Sequence, residues 1–241
     1  MSYEKSVELY GDGIGRVDYV ESMGSDLTIV NSARVSFGTQ KEELDGRDRK
    51  LINYLAKHKH TSTFEHNVVT FRFCLPLYVR SQHHRHRTWS YNEISRRYTD
   101  VNMNFYEPES FRTQHKSNRQ ASNACELINP KLHNRLGYQI SSSKKVMKHH
   151  QASLKLYGDL IKNGVCREQA RGVLPQNLYT EYYGTVNLSN LLKFIDLRSH
   201  EGAQWEIQRV AEACLEIAGD IWPIATKAYR SGKNENVSSN S

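Results

Sequence analysis

Cysteine is scarce in this chain, and its four cysteines lie far apart. No two of them form the C-x-x-C pair of a zinc ribbon or a dithiol centre; they are Cys74, Cys125, Cys166 and Cys214. Scattered thiols are typical of proteins in a reducing compartment rather than of disulfide scaffolds. The opening MSYEKSVELYGDG also lacks the apolar core of a signal peptide. We therefore expect a cytoplasmic protein.

The chain also lacks long hydrophobic runs, and it has too few acidic residues to balance its basic ones. No stretch approaches the roughly 20 apolar residues that a membrane span requires, so we predict no membrane partner. Basic residues outnumber acidic ones, 33 to 26, and the formal charge of +7 favours anionic partners. A content of 38% hydrophobic and 24% charged residues argues against wholesale disorder. We predict one domain over 1–230 and a flexible C-terminal tail over 231–241.

Hydrophobic periodicity predicts an α+β fold, an antiparallel sheet flanked by helices with additional helical segments. Strand patterns occupy 67–75 and 178–186, and helical stripes cover 26–34, 45–57, 77–87, 144–162, 167–174, 188–197 and 203–218. Gly164 and Pro175 are expected to end two of these helices, and Asn187 is expected to cap another. The polar stretch 108–145 lacks periodicity, so we expect a surface excursion with partial helix.

The segment 82–98, QHHRHRTWSYNEISRRY, concentrates arginine, histidine and aromatic residues. It contains a single acid, Glu93, and no lysine. Arginine offers a planar fork of donors that suits bidentate phosphate binding, and its flat face stacks on rings. Serine and asparagine add neutral hydrogen bonds. This mixture favours one ordered nucleotide over a diffuse polyanion.

Two other interpretations of the segment 82–98 can be weighed. Its dense histidines invite a metal site, but metal-binding imidazole must be neutral, and the guanidinium groups beside it repel a cation. We therefore predict no metal. The sequence pI near 9.2 would also suit a nucleic-acid-binding module, whose affinity would fall steeply with salt. We prefer a nucleotide pocket and predict no nucleic-acid partner.

The order of residues within this segment resembles the signature of flavin-dependent thymidylate synthases. The matching elements are Arg85-His86-Arg87, Ser90, Asn92-Glu93, Ser95 and Arg97-Tyr98. Further stretches follow in the family's order, namely SDLTIVNSARVSF (25–37), HTSTFEHNVVTFRF (60–73), ARGVLPQNLYTEYYGTVN (170–187) and LRSHEGAQWEI (197–207). The resemblance covers most of the chain and is weakest over 108–145.

This resemblance implies a reaction, its cofactors and an assembly. The reaction would be reductive methylation of dUMP to dTMP, with 5,10-methylenetetrahydrofolate as one-carbon donor and NADPH-reduced FAD as hydride source. The assembly would be a homotetramer with shared active sites. Arg198 would be the activating residue, because a cation beside the uracil N3–O4 edge favours N3 ionisation and so pushes electron density towards C5.

The resemblance also implies binding residues. Those expected to contact dUMP are Gln82, His83, His84, Arg85, Glu93, Ile94, Ser95, Arg96, Arg97, Arg171 and Arg198. Those expected to contact FAD are His60, Ser62, Arg85, His86, Arg87, Glu93, Asn187, Ser189 and Lys193. Ser95 is expected to donate a hydrogen bond rather than to act as a nucleophile, since the sequence provides no oriented base beside it.

The chain departs from the family pattern at three positions. Ser189 stands where many members have arginine, and Lys193 stands where many have asparagine. Gly202 stands where a histidine is expected, with His200 as a possible substitute from a different direction. These departures concern the expected FAD contacts and leave the reaction class unchanged.

Overall fold

The computed structural model of the chain describes residues 5–133 and 136–238, with side chains through Ser231. The strands are β1 (Ser6–Glu8), β2 (Arg16–Met23), β3 (Val68–Pro76), β4 (Ser90–Glu93), β5 (Phe111–Gln114), β6 (Ser122–Ile128), β7 (Lys131–His133), β8 (Gln139–Ser141) and β9 (Tyr179–Asn187). The helices are α1 (Asp26–Arg34), α2 (Gly46–Lys57), α3 (Leu77–His83), α4 (Ser142–Lys162), α5 (Arg167–Ala170), α6 (Leu188–Arg198), α7 (Trp205–Ile221) and α8 (Pro223–Ser238).

The main sheet is antiparallel and has the strand order β1-β2-β3-β9-β4. Its centre is the pair β3 and β9, which stay in register from Val68 opposite Asn187 to Pro76 opposite Tyr179. Helices pack on this sheet, and two short hairpins, β5–β6 and β7–β8, lie outside it. The predicted α+β class with an antiparallel sheet is confirmed.

Strand β3 forms because apolar residues occupy alternate positions, which places Val69, Phe71, Phe73 and Leu75 on one face. Phe71, Phe73 and Leu75 are fully buried on that face. Phe73 stacks on Tyr182 of β9 with ring centroids 5.0 Å apart. Gly184 lies beside this pair, where a Cβ atom would come within 2.9 Å of the Phe73 ring. The close approach of the two strands therefore requires glycine there.

The last helix is fastened to the first by a buried carboxylate. Asp26, at the start of α1, accepts hydrogen bonds from the backbone N–H groups of Ile224 (3.0 Å) and Ala225 (2.9 Å). These groups belong to the first turn of α8, which has no helical partner for them. The Trp222 indole, fully buried, donates to the carbonyl of Gly24 at 3.3 Å. The start of α1 and the start of α8 are thereby held together.

Most predicted helices and both predicted strands are present, with boundaries shifted by a few residues at most. Asn187 caps α6 as expected, because its side chain accepts from the backbone N–H of Asn190 at 2.9 Å. Gly164 follows α4 with φ +85°, the left-handed conformation that glycine adopts without strain. The segment 167–174 forms α5 and a short 3-10 turn, and Leu174 is extended before Pro175.

One prediction of local structure was wrong, and another was incomplete. The helix expected over 77–87 ends at His83, because the chain turns there and returns to the sheet as β4. In the segment 108–145, expected to be a surface excursion with partial helix, helix is confined to the end, where α4 begins at Ser142, and the hairpins β5–β6 and β7–β8 that precede it were not predicted. Short polar strands pair through backbone groups, so their side chains carry little periodic signal.

Helix α8 reaches into the segment that the sequence predicts to be a flexible tail, 231–241. Side chains from 232 onward and residues 239–241 lie outside the described part of the chain, so the tail stays a prediction. Among the described residues, no helix combines the length and apolar character needed to cross a membrane.

Candidate active site

The predicted signature segment runs from α3 through a tight turn into β4. Helix α3 ends in two turn hydrogen bonds, from Arg85 N–H to the Gln82 carbonyl at 3.3 Å and from His86 N–H to the His83 carbonyl at 2.9 Å. Strand β4 then pairs with β9, with Ser90 opposite Thr185. The turn brings Gln82 and His86 towards the end of α6.

Arg198, the last residue of α6, meets the signature at this turn. Its Nε donates to Nε2 of His86 at 3.0 Å, and its Nη2 donates to the carbonyl of Gln82 at 3.3 Å. A guanidinium only donates, so His86 Nε2 must accept, and the imidazole is neutral with its proton on Nδ1. Burial, and secondly the charge of Arg198, lower the pKa of His86 to about 4. The predicted activating arginine therefore sits against a neutral histidine.

The two histidines before this turn are packing residues. His83 is fully buried, its Nδ1 lies 2.7 Å from the hydroxyl of Tyr182, and burial lowers its pKa well below the ordinary value. His84 stacks on Tyr91 with ring centroids 4.1 Å apart. The imidazole of His83 is enclosed by the core, and its predicted contact with dUMP stays a prediction. His84, half-buried, supports β4 through its ring.

Glu93, at the end of β4, is held by two donors. Arg80 Nε and the hydroxyl of Thr180 reach the same carboxylate oxygen at 3.0 and 2.7 Å. The next residue, Ile94, donates its backbone N–H to the carbonyl of Glu181 at 2.9 Å. Glu93 is thus fixed in orientation while remaining only half-buried, and Ile94 contributes main-chain structure.

The end of the signature forms a second group of predicted residues. Ser95 closes a turn by accepting from the Arg97 N–H at 3.3 Å, and Arg97 pairs with Glu168 of α5 at 3.6 Å. Arg171 follows α5 and is exposed. The guanidinium of Arg96 instead binds backbone carbonyls, among them those of Asn102 (3.3 Å) and Tyr179 (3.2 Å). In this chain the Arg96 guanidinium therefore binds the main chain, and its predicted contact with dUMP stays a prediction.

A cavity of about 640 Å³ lies between α2, α6 and α8. Three predicted FAD residues, His60, Ser189 and Lys193, line it together with Leu55, Phe64, Leu192 and Tyr229. The Ser189 hydroxyl is buried and has no hydrogen-bond partner among the described residues. Ser62, Arg85 and Arg87, also predicted for FAD, are exposed, whereas the Asn187 side chain is engaged in capping α6.

A comparison with known proteins matches this arrangement to one family. A family model described as thymidylate synthase complementing protein matches residues 18–224. A flavin-dependent thymidylate synthase from Thermus thermophilus is 43% identical over 215 residues, which cover 89% of this chain and 75% of that protein. The enzyme of the same name from Thermotoga neapolitana is 37% identical, with 89% and 90% covered. The chain belongs to the flavin-dependent thymidylate synthase family.

A solved structure related to this family has the same fold. The UMP/dUMP methylase PolB from Streptomyces cacaoi, crystallised with 5-Br dUMP, superposes with a TM-score of 0.77 at 31% identity. The match covers 93% of this chain and 97% of that chain.

The family departure at Gly202 has a local explanation. The Gly202 N–H donates to Nδ1 of His200 at 3.0 Å, and a Cβ at this position would lie 3.2 Å from the same atom. The His200 ring therefore packs against the glycine and is exposed. A Cβ at position 202 would require the His200 ring to move by a few tenths of an ångström.

The sequence patterns did not identify several residues that support the site of this flavin-dependent thymidylate synthase. Gln204 accepts from the side chain of Gln82, and Glu206 in turn accepts from Gln204 at 2.8 Å. Both lie within the stretch 197–207 that carries the family resemblance, so their place in it was an available signal. Arg112, which forms an ion pair with Glu206, lies in the segment 108–145, called the excursion below, where no sequence pattern identifies it.

Proposed function

We propose that this chain catalyses the reductive methylation of dUMP to dTMP. The one-carbon donor is 5,10-methylenetetrahydrofolate, and the hydride comes from FAD reduced by NADPH. One observation carries the proposal: Arg198 reaches the signature turn and donates to both His86 and Gln82. In a chain of this family, that arrangement sets a cation beside the residues expected to hold the nucleotide.

Arg198 would activate the uracil ring. Burial lowers its pKa, but an arginine keeps its charge at any physiological pH. A cation fixed beside the N3–O4 edge stabilises negative charge there and increases electron density at C5. The neutral His86 accepts from Nε and so fixes the plane of the guanidinium without cancelling its charge. Arg198 is therefore the catalytic residue of the proposal, and His86 orients it.

The residues around the cavity between α2, α6 and α8 fit a flavin nucleotide. The unpartnered Ser189 hydroxyl offers a hydrogen bond, and His60 and Lys193 border the same space. The exposed Arg85 and Arg87 supply guanidinium groups that suit a pyrophosphate. When bound, FAD would supply the hydride that completes the methyl group, while these side chains bind and orient it.

The site would be completed by other copies of the chain in a homotetramer. Arg97 and Arg171 lie near α5 and are exposed, as are Arg85 and Arg87 near α3. Arginines on one chain that expose their guanidinium groups are suited to bind the phosphate of a nucleotide held by a neighbouring copy. Shared active sites would explain why the predicted dUMP residues occur both near α3 and near α5.

A thiol-dependent synthase is the alternative reading of the same overall reaction. Burial raises the pKa of the Cys74 thiol to about 12, and burial likewise raises the pKa of Cys214. Neither thiol can become a thiolate nucleophile at neutral pH. Cys125, on β6, and Cys166, which precedes α5, are exposed but lie in elements that hold none of the residues around Arg198.

The direct test is a steady-state assay of dTMP formation. The complete mixture contains protein, dUMP, methylenetetrahydrofolate, NADPH and FAD, and each component is omitted in turn. We expect product only from the complete mixture. Product without flavin, or none from the complete mixture, would overturn the proposal. A parallel assay with UMP measures preference for the deoxyribose, since the superposed methylase is named for both nucleotides.

A further inference from the structure

A chain of side-chain hydrogen bonds links the excursion to Gln82. Arg112 of β5 donates from Nη2 to Oε1 of Glu206 at 2.6 Å, and its Nε donates to Ser122 at 2.9 Å. Gln204 Nε2 donates to the other oxygen of Glu206, Oε2, at 2.8 Å. Gln82 Nε2 then donates to Oε1 of Gln204. We refer to Arg112, Glu206, Gln204 and Gln82 as the relay.

The direction of every hydrogen bond in the relay is set at Glu206. Its side chain is only 4% exposed and is paired with a guanidinium, so it is an ionised carboxylate that can only accept. Gln204 must therefore point its NH₂ group at Glu206 and its oxygen at Gln82. Gln82 must in turn point its own NH₂ group at Gln204. Each amide has one orientation that satisfies its neighbour, and the reverse would bring two oxygens together.

Aromatic and main-chain contacts hold the relay in place. The guanidinium groups of Arg112 and Arg209 lie against the ring of Trp205, 5.1 and 5.6 Å from its centroid. The main chain of Gln82 is fixed separately, because its carbonyl accepts from Arg198. Both the backbone and the amide of Gln82 are thus fixed, and its Oε1 is the atom left to accept from a ligand.

We propose that Arg112, Glu206 and Gln204 are positioning residues that hold the Gln82 amide in one orientation, with Oε1 presented to the nucleotide. This inference rests on the proposed function, since Gln82 is one of the residues assigned to dUMP. The inference assigns a function to the excursion, because Arg112 belongs to β5 and its positive charge keeps Glu206 a hydrogen-bond acceptor. An amide free to rotate would lose part of its binding energy in being ordered by the ligand.

Reversing the relay provides a test of its polarity that does not depend on catalysis. Gln82→Glu alone sets a carboxylate against the Gln204 oxygen, and Glu206→Gln alone removes the fixed acceptor. Combined, the two changes let the 82–204 and 204–206 hydrogen bonds run in the opposite direction, while the amide oxygen at 206 still accepts from Arg112. We expect each single variant to lower Tm by at least about 2 °C. The double variant should regain most of that loss.

Affinity for dUMP separates the relay's role in binding from its role in folding. Titration calorimetry on FAD-loaded protein should show dUMP binding about 10-fold weaker for Glu206→Gln and for Gln204→Leu, with flavin content unchanged. The double variant should regain Tm but not affinity, because a carboxylate at 82 repels an anionic nucleotide. The control Arg119→Met alters an exposed arginine of the same excursion and should leave both quantities unchanged.

Three outcomes decide the inference. Additive losses of Tm in the double variant would overturn the relay's polarity. Affinity within twofold of wild type for Gln204→Leu, a variant that keeps the Arg112–Glu206 pair, would overturn its role in binding dUMP, even if Glu206→Gln failed to fold. Wild-type protein that loads FAD but binds no dUMP would instead contradict the proposed function, and the Tm comparison would still report on the relay.

Discussion

Arg198 and His86 form a directional pair in which Nε of the guanidinium donates to Nε2 of the imidazole at 3.0 Å. The pair joins the end of α6 to the signature turn, two segments more than a hundred residues apart in sequence. It requires His86 to stay neutral, because a protonated imidazole has no acceptor for the guanidinium. The orientation of the proposed catalytic charge thus depends on the protonation state of its neighbour.

The first prediction concerns the charge of Arg198. We expect Arg198→Ala to reduce dTMP formation by at least about 100-fold, the scale on which a lost charge-stabilising donor acts. Bound FAD, measured by flavin absorbance, should be retained. Arg198→Lys is the matched control, because it keeps the charge but loses the planar fork whose Nε and Nη2 reach His86 and Gln82 separately, and its rate should lie in between. Near-normal turnover of Arg198→Ala would refute the assigned role.

The second prediction concerns acid stability. The folded-state pKa values of His83 and His86 lie below the ordinary 6.5, so the unfolded chain binds more protons as pH falls through this range. Their contribution to stability is complete above pH 6.5 and is lost progressively towards pH 4. Denaturant unfolding at a series of pH values should therefore show stability falling across this window. His86→Gln, which can accept from Arg198 without titrating, should show a shallower decline; an equal slope would contradict the assignment.

Sequence patterns predicted the elements whose burial is one-sided. The alternation of β3 and the stripe of α2 correspond to faces that the core covers, whereas the stripe expected on α4 includes Leu154, which is exposed. The hairpins of 108–145 could not be predicted in this way, because most of their residues are exposed and the strands are short. Local patterns carry no information on contacts between distant segments, so the capping of α8 by Asp26 could not be predicted either.

In the candidate site too, part could be predicted from the sequence and part depends on the tertiary fold. The signature identified the residues near Arg198 because their order resembles a known family. It could not distinguish ligand contacts from supports, since that depends on which side chains the fold buries. His83 and Arg96 have the residue types of a phosphate site, yet one is enclosed by aromatic rings and the other binds backbone carbonyls.

The third prediction concerns Ser189. Its hydroxyl is buried without a partner among the described residues, which costs about 1–3 kcal/mol relative to a satisfied group. Ser189→Ala should therefore leave the Tm of flavin-free protein unchanged or raised, while FAD binding weakens about 3- to 10-fold. Fluorescence titration with FAD measures the second effect.

Ser153→Ala is the matched control for Ser189. This substitution also removes a buried serine hydroxyl. The hydroxyl of Ser153, however, donates a hydrogen bond to the carbonyl of Val173, and Ser153 lies outside the cavity lining. It should lose stability and keep its FAD affinity. Equal behaviour of the two variants would show that the Ser189 hydroxyl does not face the flavin.

The fourth prediction concerns Asp26, which caps the first turn of α8 from α1. Asp26→Ala removes both acceptors and should cost about 1–2 kcal/mol of unfolding free energy. Asp26→Asn keeps one acceptor oxygen and should lose less. Urea denaturation of the three proteins, compared at equal m-values, checks the order. Equal losses for both variants would show that the carboxylate geometry does not matter at this helix end.

The central claim is that reduced FAD on this protein completes the methyl group of dTMP. The most direct measurement is an anaerobic single turnover, in which protein carrying reduced FAD is mixed with dUMP and methylenetetrahydrofolate in the absence of NADPH. We predict that flavin absorbance returns and that one dTMP forms for each flavin oxidised. Formation of dTMP while the flavin stays reduced, or flavin oxidation without dTMP, would contradict the account.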